Sequence, residues 1–240
     1  MCLIIHKPAD CKFDINIVNN AAMMHSDGFG IMWLEDGKVQ SYKSADMSGL
    51  ETVVSSINEC DMAGIGVGLH LRYATHGSVR DGNCHPFVNK GKRFGLMHNG
   101  VIRTAKTVGD ETDSNAFCRE VAFPALRKHE MTRAASLIEE SHGTGNRTLI
   151  FSSKGEFVRT GSWVERDGLH YSNGTGFYAG YNTKWISSEP DYKTPYFIED
   201  FSGWSLSQIK AYIKKYPDLA ADMIYDHLMA SEYENRSYNS

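Results

Sequence analysis

A β-hairpin pattern close to the N-terminus limits the fold more than any other feature of the sequence. In the stretch GFGIMWLEDGKVQSYKS, apolar and polar residues alternate on both sides of Asp36-Gly37. Asp-Gly between two alternating runs is typical of a two-residue turn that joins antiparallel strands. Further strand-like runs are CLIIH, GIGVGLHLRYATHG, which continues into a loop, and KRFGLMHNGVI, which ends at Asn99-Gly100. The N-terminal part of the chain therefore predicts antiparallel sheet.

Three segments carry apolar residues at helical spacing, and more strands follow them. SGLETVVSSINEC comes after Ser48, a candidate N-cap, and TDSNAFCREVAFPALRK begins at Thr112 or Asp113. MTRAASLIEESHG is a helix that glycine ends. RTLIFSSKGEFVRTGSWVERDGLHYSN then predicts two or three antiparallel strands, with turns at Lys154-Gly155 and Asp167-Gly168. Strands, helices and strands again predict a layered α+β protein.

The length of 240 residues fits one sizeable domain, or one domain with a small appendage. We predict a main domain over residues 1–200 and a C-terminal helical extension over residues 201–240, which ends in a polar tail. The stretch SLSQIKAYIKKYPDLAADMIYDHL has apolar residues at helical spacing, and we expect these helices to pack on the main domain. The alternative is that they expose part of that face to a partner or to a second copy of the chain.

Composition excludes several classes of protein. A net charge of -4 and a pI near 6.2 give no strong attraction to nucleic acid or to an anionic membrane. No apolar stretch approaches the roughly 20 residues of a membrane span. The run LII is shorter than the core of a signal peptide, which has about 7–15 residues. We therefore expect a cytoplasmic protein with no nucleic-acid or membrane partner. The five cysteines have irregular spacing and form no CxxC pair, which predicts neither a disulfide framework nor a zinc knuckle.

Four histidines lie close together in the sequence and raise the question of a metal site: His70, His76, His85 and His98. HExxH is absent, and Asp81 is the only acidic residue between the first and the last of them. His70 and Arg72 would face the same side of a strand, and this places a fixed positive charge beside any bound cation. We predict no metal and no cofactor.

Residues suited to amide chemistry stand at the ends of the predicted strands. If Met1 is removed, Cys2 carries a thiol and a free amine on one residue. Arg72 can bind a carboxylate through two parallel hydrogen bonds. The Asn99 amide and the Gly100 N–H can converge as an oxyanion hole, although Asn-Gly is also the commonest short turn dipeptide.

Asp113 completes this set at the start of a predicted helix. Its carboxylate can cap that helix, or it can hold a substrate ammonium. A carboxylate site, an ammonium site, a thiol and an oxyanion hole together describe an amino-acid amide as substrate. Glutamine fits that description.

The motifs MC, HSDGFGIMW, HLRYATHG, HPF, HNG and TDS, in this order, resemble the class II glutamine amidotransferase domain of the N-terminal-nucleophile hydrolases, over about residues 2–180. The resemblance implies a four-layer αββα sandwich with two antiparallel sheets. It implies that Cys2 is the nucleophile, with its own α-amine as the base once Met1 is lost. Asn99 and Gly100 would form the oxyanion hole, and HSDGFG would shape a loop beside the nucleophile.

The same resemblance assigns the residues that bind the substrate. Arg72 would bind the α-carboxylate of glutamine and Asp113 its α-amine. Tyr73, Thr75 and His76 would line the glutamine pocket. The family often has tryptophan at the position of Tyr73, so the sequence departs from the pattern in the loop that closes over glutamine.

The function that these motifs predict is glutamine hydrolysis by a stand-alone glutamine amidotransferase or glutaminase. A γ-glutamyl thioester would form on Cys2, and the ammonia would pass to a separate acceptor or synthase partner. Two alternatives stay open. One is a γ-glutamyl amide or peptide hydrolase on the same scaffold, and the other is an inactive binding subunit that retains Met1.

Overall fold

The computed structural model describes residues 2–59 and 64–177. Contacts within the chain divide it into two units, Met1–Phe177 and Tyr178–Ser240, and the described residues belong to the first. The predicted boundary near residue 200 and the predicted C-terminal helices lie outside the described residues. In the described part of the chain, no helix has both the length and the apolar character that crossing a membrane requires.

The described residues form ten strands and five α-helices. In chain order, these elements are β1 (Leu3–Lys7), α1 (Ile15–Met24), β2 (Phe29–Glu35), β3 (Lys38–Ser44), α2 (Leu50–Glu59), β4 (Val67–Leu71), β5 (Phe87–Val88), β6 (Phe94–Asn99), α3 (Asp113–Phe117), α4 (Phe123–Lys128), α5 (Met131–His142), β7 (Arg147–Ser152), β8 (Phe157–Thr160), β9 (Val164–Arg166) and β10 (Leu169–Tyr171). The first sheet has the strand order β3-β2-β4-β1-β10-β9, and the second has the order β5-β6-β7-β8. All the pairings are antiparallel.

Three apolar clusters give the layers of the fold. Helices α1 and α2 pack on the outer face of the first sheet, where Leu3 and Ile5 of β1 are buried. Ile4 points to the opposite face, because successive side chains of a strand alternate, and it packs between the sheets against residues such as Leu149 of β7. Helices α3 to α5 cover the outer face of the second sheet. The layers are therefore αββα, as predicted.

Local turn and cap signals account for several boundaries. Asp36 and Gly37 both have positive φ, at 50° and 65°, as the predicted hairpin turn between β2 and β3 requires. Thr112 caps α3 by accepting a hydrogen bond from the N–H of Asn115 at 3.2 Å. The expectation that Ser48 caps α2 is wrong. A short 3₁₀ turn at Met47–Gly49 precedes the helix, and the Asp46 carboxylate accepts the Ser48 N–H.

Two parts of the fold differ from the prediction. The sequence pattern did not indicate α1, whose N-cap is Asp14. The segment from Arg147 to Tyr171 forms four strands instead of two or three, because the chain crosses from the second sheet to the first after Thr160. Trp163 stabilises the crossing by donating its indole N–H to the Thr160 carbonyl at 2.9 Å.

Candidate active site

Cys2 lies immediately before β1, in the middle of the first sheet. Leu3 pairs with Leu71 across β1 and β4, so Cys2 and Arg72 extend from the same end of two neighbouring strands. The partly buried thiol of Cys2 lies 3.5 Å from the backbone N–H of Tyr73 and 3.5 Å from its carbonyl oxygen. The predicted nucleophile therefore contacts the first residue of the predicted glutamine-binding loop.

The electrostatic environment keeps the Cys2 thiol protonated. Burial raises its pKa, and the nearby carboxylate of Asp113 acts in the same direction. The hydrogen bond from the Tyr73 backbone and the positive charge of Arg72 oppose the rise without cancelling it. Since the thiolate is the reactive form of cysteine, attack by Cys2 needs a base that removes its proton.

Arg72 is buried and organises the loop that follows β4. Its guanidinium donates to the carbonyl oxygens of His76, Gly77 and Ser78 at 3.1–3.2 Å. An arginine side chain has five N–H donors, and these three bonds together with a hydrogen bond to the Cys84 thiol leave one for another partner. The predicted carboxylate-binding residue thus also fixes the shape of the predicted binding loop.

The side chains of this loop are exposed, and a hydrogen bond to its backbone holds the loop in place. Tyr73, Thr75 and His76 are all exposed to solvent, and the relative accessibility of residue Tyr73 is 49%. The Asp27 carboxylate accepts a hydrogen bond from the Ala74 N–H at 2.7 Å. The three side chains predicted to line the pocket therefore stand on a loop whose backbone is held by the Asp27 carboxylate.

Asp110 anchors the far end of this loop. Its carboxylate accepts the Ser78 N–H at 2.8 Å and also accepts the Ser78 hydroxyl. These bonds to Ser78 lower the pKa of Asp110, and Arg80 adds a salt bridge of 3.1 Å. Asn83 then bridges the carbonyl oxygens of Ser78 and Asp110. Sequence reasoning missed Asp110, and it did not single out Asp27 within the motif HSDGFG.

Asn99 and Gly100 do not form a hairpin turn. Strand β6 ends at Asn99 and pairs with β7, which begins at Arg147. Gly100 has a φ of 137°, and a Cβ at this position would overlap the side-chain oxygen of Asn146. The pair therefore ends a central strand in a conformation that glycine alone adopts readily, and this leaves the oxyanion-hole interpretation open.

The buried carboxamide of Asn99 is only partly bonded. Its nitrogen donates to the hydroxyl of Ser172 at 3.0 Å, and its oxygen is buried without a hydrogen-bond partner. Buried polar atoms without partners are rare in folded proteins, and a catalytic role is one of the explanations for them.

Asp113 is the first residue of α3 and ties the helix to the loop after Gly100. One carboxylate oxygen accepts the Ile102 N–H at 2.6 Å, and the other accepts the Ser114 N–H at 2.8 Å. Thr112 is the residue that caps the helix. The carboxylate of Asp113 is half-buried and keeps lone pairs for a further donor, as the predicted role in binding an ammonium requires.

A buried network behind the site connects Ser114 of α3 to Asn146, whose side chain lies beside Gly100. Asn146 donates its side-chain N–H to the His142 carbonyl at 2.7 Å, which leaves its oxygen to accept from His98 Nε2 at 2.7 Å. The other ring nitrogen of His98 lies 2.8 Å from the Ser114 hydroxyl. Burial lowers the pKa of His98, so the ring is neutral, with its proton on Nε2.

The remaining predicted histidines do not form a metal centre. His70 and His85 are buried with their ring centres 4.2 Å apart, and burial lowers the pKa of each. His76 lies on the exposed loop. Among residues 2–59 and 64–177, no three His, Cys, Asp or Glu side chains converge in a group that could hold a metal ion.

Two residues that sequence reasoning missed connect the nucleophile to the candidate oxyanion hole. Ser172 bonds to Asn99, and Asn173 donates its side-chain N–H to the carbonyl oxygen of Cys2 at 2.8 Å. Both follow β10, the strand that pairs with β1. The only signal in the sequence was a pair of polar residues directly after a short apolar strand.

Comparison with known proteins gives a family match over most of the described chain. A family model for glutamine amidotransferases class-II matches residues 1–157. A Haemophilus influenzae protein named "Putative glutamine amidotransferase" is 32% identical over 135 residues, which is 49% of this chain and 46% of that protein. Glutamine–fructose-6-phosphate aminotransferase (isomerizing) of Clostridium perfringens is 38% identical over 77 residues, which is 32% of this chain and 12% of that enzyme.

The chain thus covers about half the length of the Haemophilus protein and a smaller part of the Clostridium enzyme. Among solved structures, the B. subtilis glutamine phosphoribosylpyrophosphate amidotransferase complexed with ADP and GMP matches with a TM-score of 0.45 and 17% identity. That match covers 74% of this chain and 43% of the other.

Proposed function

The chain belongs to the class-II glutamine amidotransferases, and from this premise we propose that it hydrolyses the side-chain amide of glutamine through a γ-glutamyl thioester on Cys2. The ammonia passes to a separate acceptor or to a synthase partner. One observation carries the proposal. Two consecutive residues, Asn173 and Ser172, hold the backbone of Cys2 and the carboxamide of Asn99, and thus join the candidate nucleophile to the candidate oxyanion donor.

The reaction has two halves. The Cys2 sulfur forms a bond to the side-chain carbonyl carbon of glutamine, and the carbonyl electron pair moves onto oxygen. This oxyanion accepts hydrogen bonds from the Asn99 carboxamide and the Gly100 N–H. The C–N bond then breaks, the nitrogen takes up a proton and leaves as ammonia, and a thioester remains on Cys2. Water adds to the thioester, the C–S bond breaks, and glutamate and the free thiol are formed.

The base in this scheme is the α-amine of Cys2, which exists only after Met1 is removed. Burial raises the thiol pKa, so the thiol alone is a poor nucleophile at neutral pH. An α-amine has an ordinary pKa of about 7.7–8.0, and a useful fraction is neutral and able to accept the thiol proton. The same amine then returns a proton to the leaving nitrogen.

The two charged ends of glutamine have complementary partners near Cys2. Arg72 has one donor beyond those that bind the loop carbonyls and the Cys84 thiol, and this donor and the positive charge meet the α-carboxylate. Asp113 accepts the α-ammonium. Tyr73, Thr75 and His76 stand on the loop that Arg72 organises, and they close around the substrate.

The test is a glutaminase assay on purified protein whose intact mass is recorded beforehand. We expect protein that lacks Met1 to release equal amounts of glutamate and ammonia from glutamine. Cys2→Ala removes this activity, whereas Cys11→Ser, at another partly buried cysteine that lies outside the candidate site, retains it. Activity that survives in Cys2→Ala overturns the proposal, and so does the absence of activity in protein without Met1.

The same assay separates the related hydrolase from an amidotransferase. A γ-glutamyl peptide that is cleaved with a higher kcat/KM than glutamine would indicate the hydrolase. Protein that retains Met1 and binds glutamine without turnover would indicate a binding subunit.

A further inference from the structure

The hydroxyl of Ser172 lies where the two sheets meet and is shared by two strands. It accepts a hydrogen bond from the Ile4 N–H of β1 at 2.8 Å, and it lies 3.0 Å from the side-chain nitrogen of Asn99. The backbone N–H of Ser172 in turn donates to the Ile4 carbonyl at 2.9 Å. Ser172 and Asn99 are both buried from solvent. The hydroxyl is therefore fixed by the backbone of the strand that begins beside Cys2.

Two atoms of the Ser172 and Asn99 side chains have no described hydrogen-bond partner. With the Asn99 nitrogen towards Ser172, the serine oxygen accepts two bonds and its own proton has no described acceptor. The Asn99 oxygen is also buried without a partner. A half-turn of the carboxamide about its last bond exchanges an oxygen and a nitrogen of nearly equal size. Ser172 then donates its proton to the Asn99 oxygen, while it still accepts the Ile4 N–H.

This half-turn changes what the site offers to a substrate. The unpartnered position becomes the NH₂ group of Asn99, a donor, where a carbonyl oxygen would repel a developing oxyanion. We propose that Ser172 is a positioning residue that holds Asn99 in this half-turned orientation, with its N–H donors directed at the substrate oxyanion. The inference rests on the proposed function for its role in catalysis, but the orientation itself can be tested without turnover.

Ser172 therefore positions the oxyanion donor in addition to stabilising β1. A donor must be placed before the reaction if it is to stabilise charge without reorganisation. Ser172 and Asn173 are consecutive, and they hold Asn99 and Cys2 respectively. Because these two residues are adjacent in the chain, they fix the position of the oxyanion donor relative to the nucleophile.

The kinetic test is a double-mutant cycle between Ser172 and Asn99. We expect Ser172→Ala to lower kcat by up to about 10²-fold, with KM changed less than about threefold, because a misplaced donor weakens transition-state binding. In the Asn99→Ala background the same change lowers kcat less than about twofold, since the donor is already absent. An equal loss in both backgrounds means that Ser172 acts through β1 alone, and it overturns the proposal.

Ser152→Ala is the matched control. Ser152 is the buried last residue of β7 in the second sheet, and its hydroxyl donates to the carboxylate of Glu156, which precedes β8. We expect this variant to lose stability comparably to Ser172→Ala and to keep its kcat. A kcat that falls as far in the control as in Ser172→Ala would show that loss of a buried hydroxyl, and not loss of positioning, lowers the rate.

Neutron diffraction from deuterium-exchanged crystals of the wild-type protein decides the orientation directly. We expect a deuteron on the line from Ser172 Oγ to the Asn99 oxygen, and both amide deuterons on the opposite side. Amide deuterons between the Asn99 nitrogen and Ser172 overturn the inference. Absence of glutamine hydrolysis in the wild type would instead overturn the proposed function, and the two failures are thus distinguishable.

Discussion

Asn173 donates a hydrogen bond of 2.8 Å to the carbonyl oxygen of Cys2, so the residue two places beyond β10 fixes the residue before β1. Asn173→Ala removes this bond. We expect kcat for glutamine hydrolysis to fall about tenfold or more, because a loosely held nucleophile spends less time in the attacking geometry. Steady-state kinetics at matched folded concentrations measures the change.

The control for this variant is Asn58→Ala. Asn58 also holds a backbone, with bonds of 2.8 and 2.9 Å to the N–H and the carbonyl of Phe13, which precedes α1. We expect it to lower the free energy of unfolding by roughly 1–3 kcal/mol without lowering kcat. If Asn58→Ala lowers kcat as much as Asn173→Ala, the bond to Cys2 has no special part in catalysis.

Gly100→Ala tests the geometry at the end of β6. A Cβ would overlap the Asn146 side-chain oxygen, and the φ of 137° lies where side chains are rarely found. We expect a loss of about 1–3 kcal/mol from the backbone alone and a fall in kcat of roughly 10²-fold, because the Gly100 N–H moves from its position. Urea unfolding and glutaminase kinetics measure the two effects.

Gly37→Ala is the control, because it introduces backbone strain at a position away from the candidate site. Gly37 also has positive φ, but no atom lies within 4 Å of the added Cβ. We expect a stability loss of about 1 kcal/mol and an unchanged kcat. A kcat that survives in Gly100→Ala would show that this N–H does not contribute to the reaction.

The fold was predictable from the sequence where local chemistry determines it. Asp36-Gly37 fixes a hairpin because few residues adopt two successive positive φ values, and Gly143 ends α5 for a similar reason. The order of strands was not predictable, since β4 lies between β1 and β2 through pairings between residues far apart in the sequence. Helix α1 was missed because its polar Asn residues interrupt the apolar pattern.

The candidate site was partly predictable for a related reason. Its charged and polar residues stand at the end of a strand or the start of a helix, where a short motif makes them visible. Asn99 and Asp113 are examples, and their catalytic roles stay predictions. Ser172 and Asp27 act through contacts with Asn99 and Ala74, residues 73 and 47 positions away. No local pattern reports such contacts.

Buried neutral histidines predict that acid destabilises the fold. Burial lowers the pKa of His70 to about 3, and burial with the nearby charge of Arg159 lowers that of His6 to about 3. In the unfolded chain the pKa is about 6.5, so the unfolded state binds protons that the folded state does not. Stability is complete above about pH 6.5 and falls as the pH decreases towards 3. Each histidine costs roughly 1.4 kcal/mol per pH unit in that window.

Urea unfolding at several pH values between 7 and 5 measures this slope. We expect His6→Phe to reduce the mean slope over this range by roughly 1 kcal/mol per pH unit. Phenylalanine suits the position because the His6 ring packs between Phe151 and Phe157, away from the candidate site. His129→Gln, at an exposed position, is the control and should leave the slope unchanged. Equal slopes in the wild type and in His6→Phe would contradict this explanation.

Asp113→Asn removes the carboxylate assigned to the substrate ammonium. We expect kcat/KM for glutamine to fall about 10- to 150-fold. This factor corresponds to the loss of a hydrogen bond to a charged group, which contributes about 1.5–3 kcal/mol. The Asp113 charge also raises the pKa of Cys2, so alkylation of Cys2 by iodoacetamide should begin at lower pH in the variant. Asp36→Asn, which removes an equal charge from the hairpin turn, should change neither result. A shifted alkylation profile with unchanged kcat/KM would place Asp113 near the thiol but not on the substrate.

Arg72→Lys tests whether one guanidinium both shapes the loop and binds glutamine. Lysine keeps the positive charge but has a single donor centre, and it cannot reach the carbonyl oxygens of His76, Gly77 and Ser78 together. We expect backbone amides of residues 74–80 to exchange with deuterium at least about tenfold faster, because the bonds that close the loop are lost. KM for glutamine should rise in the same variant.

The location of the effect distinguishes this explanation from general destabilisation. Amides of β7 and β8, on the second sheet, should exchange as in the wild type. Arg80→Lys is the control, because the exposed bridge from Arg80 to Asp110 contributes little to stability, and we expect a much smaller change in the loop. Faster exchange throughout residues 2–59 and 64–177 would mean that Arg72 stabilises the whole sandwich. Unchanged exchange in the loop would mean that Asp27 and Asp110 hold it without Arg72.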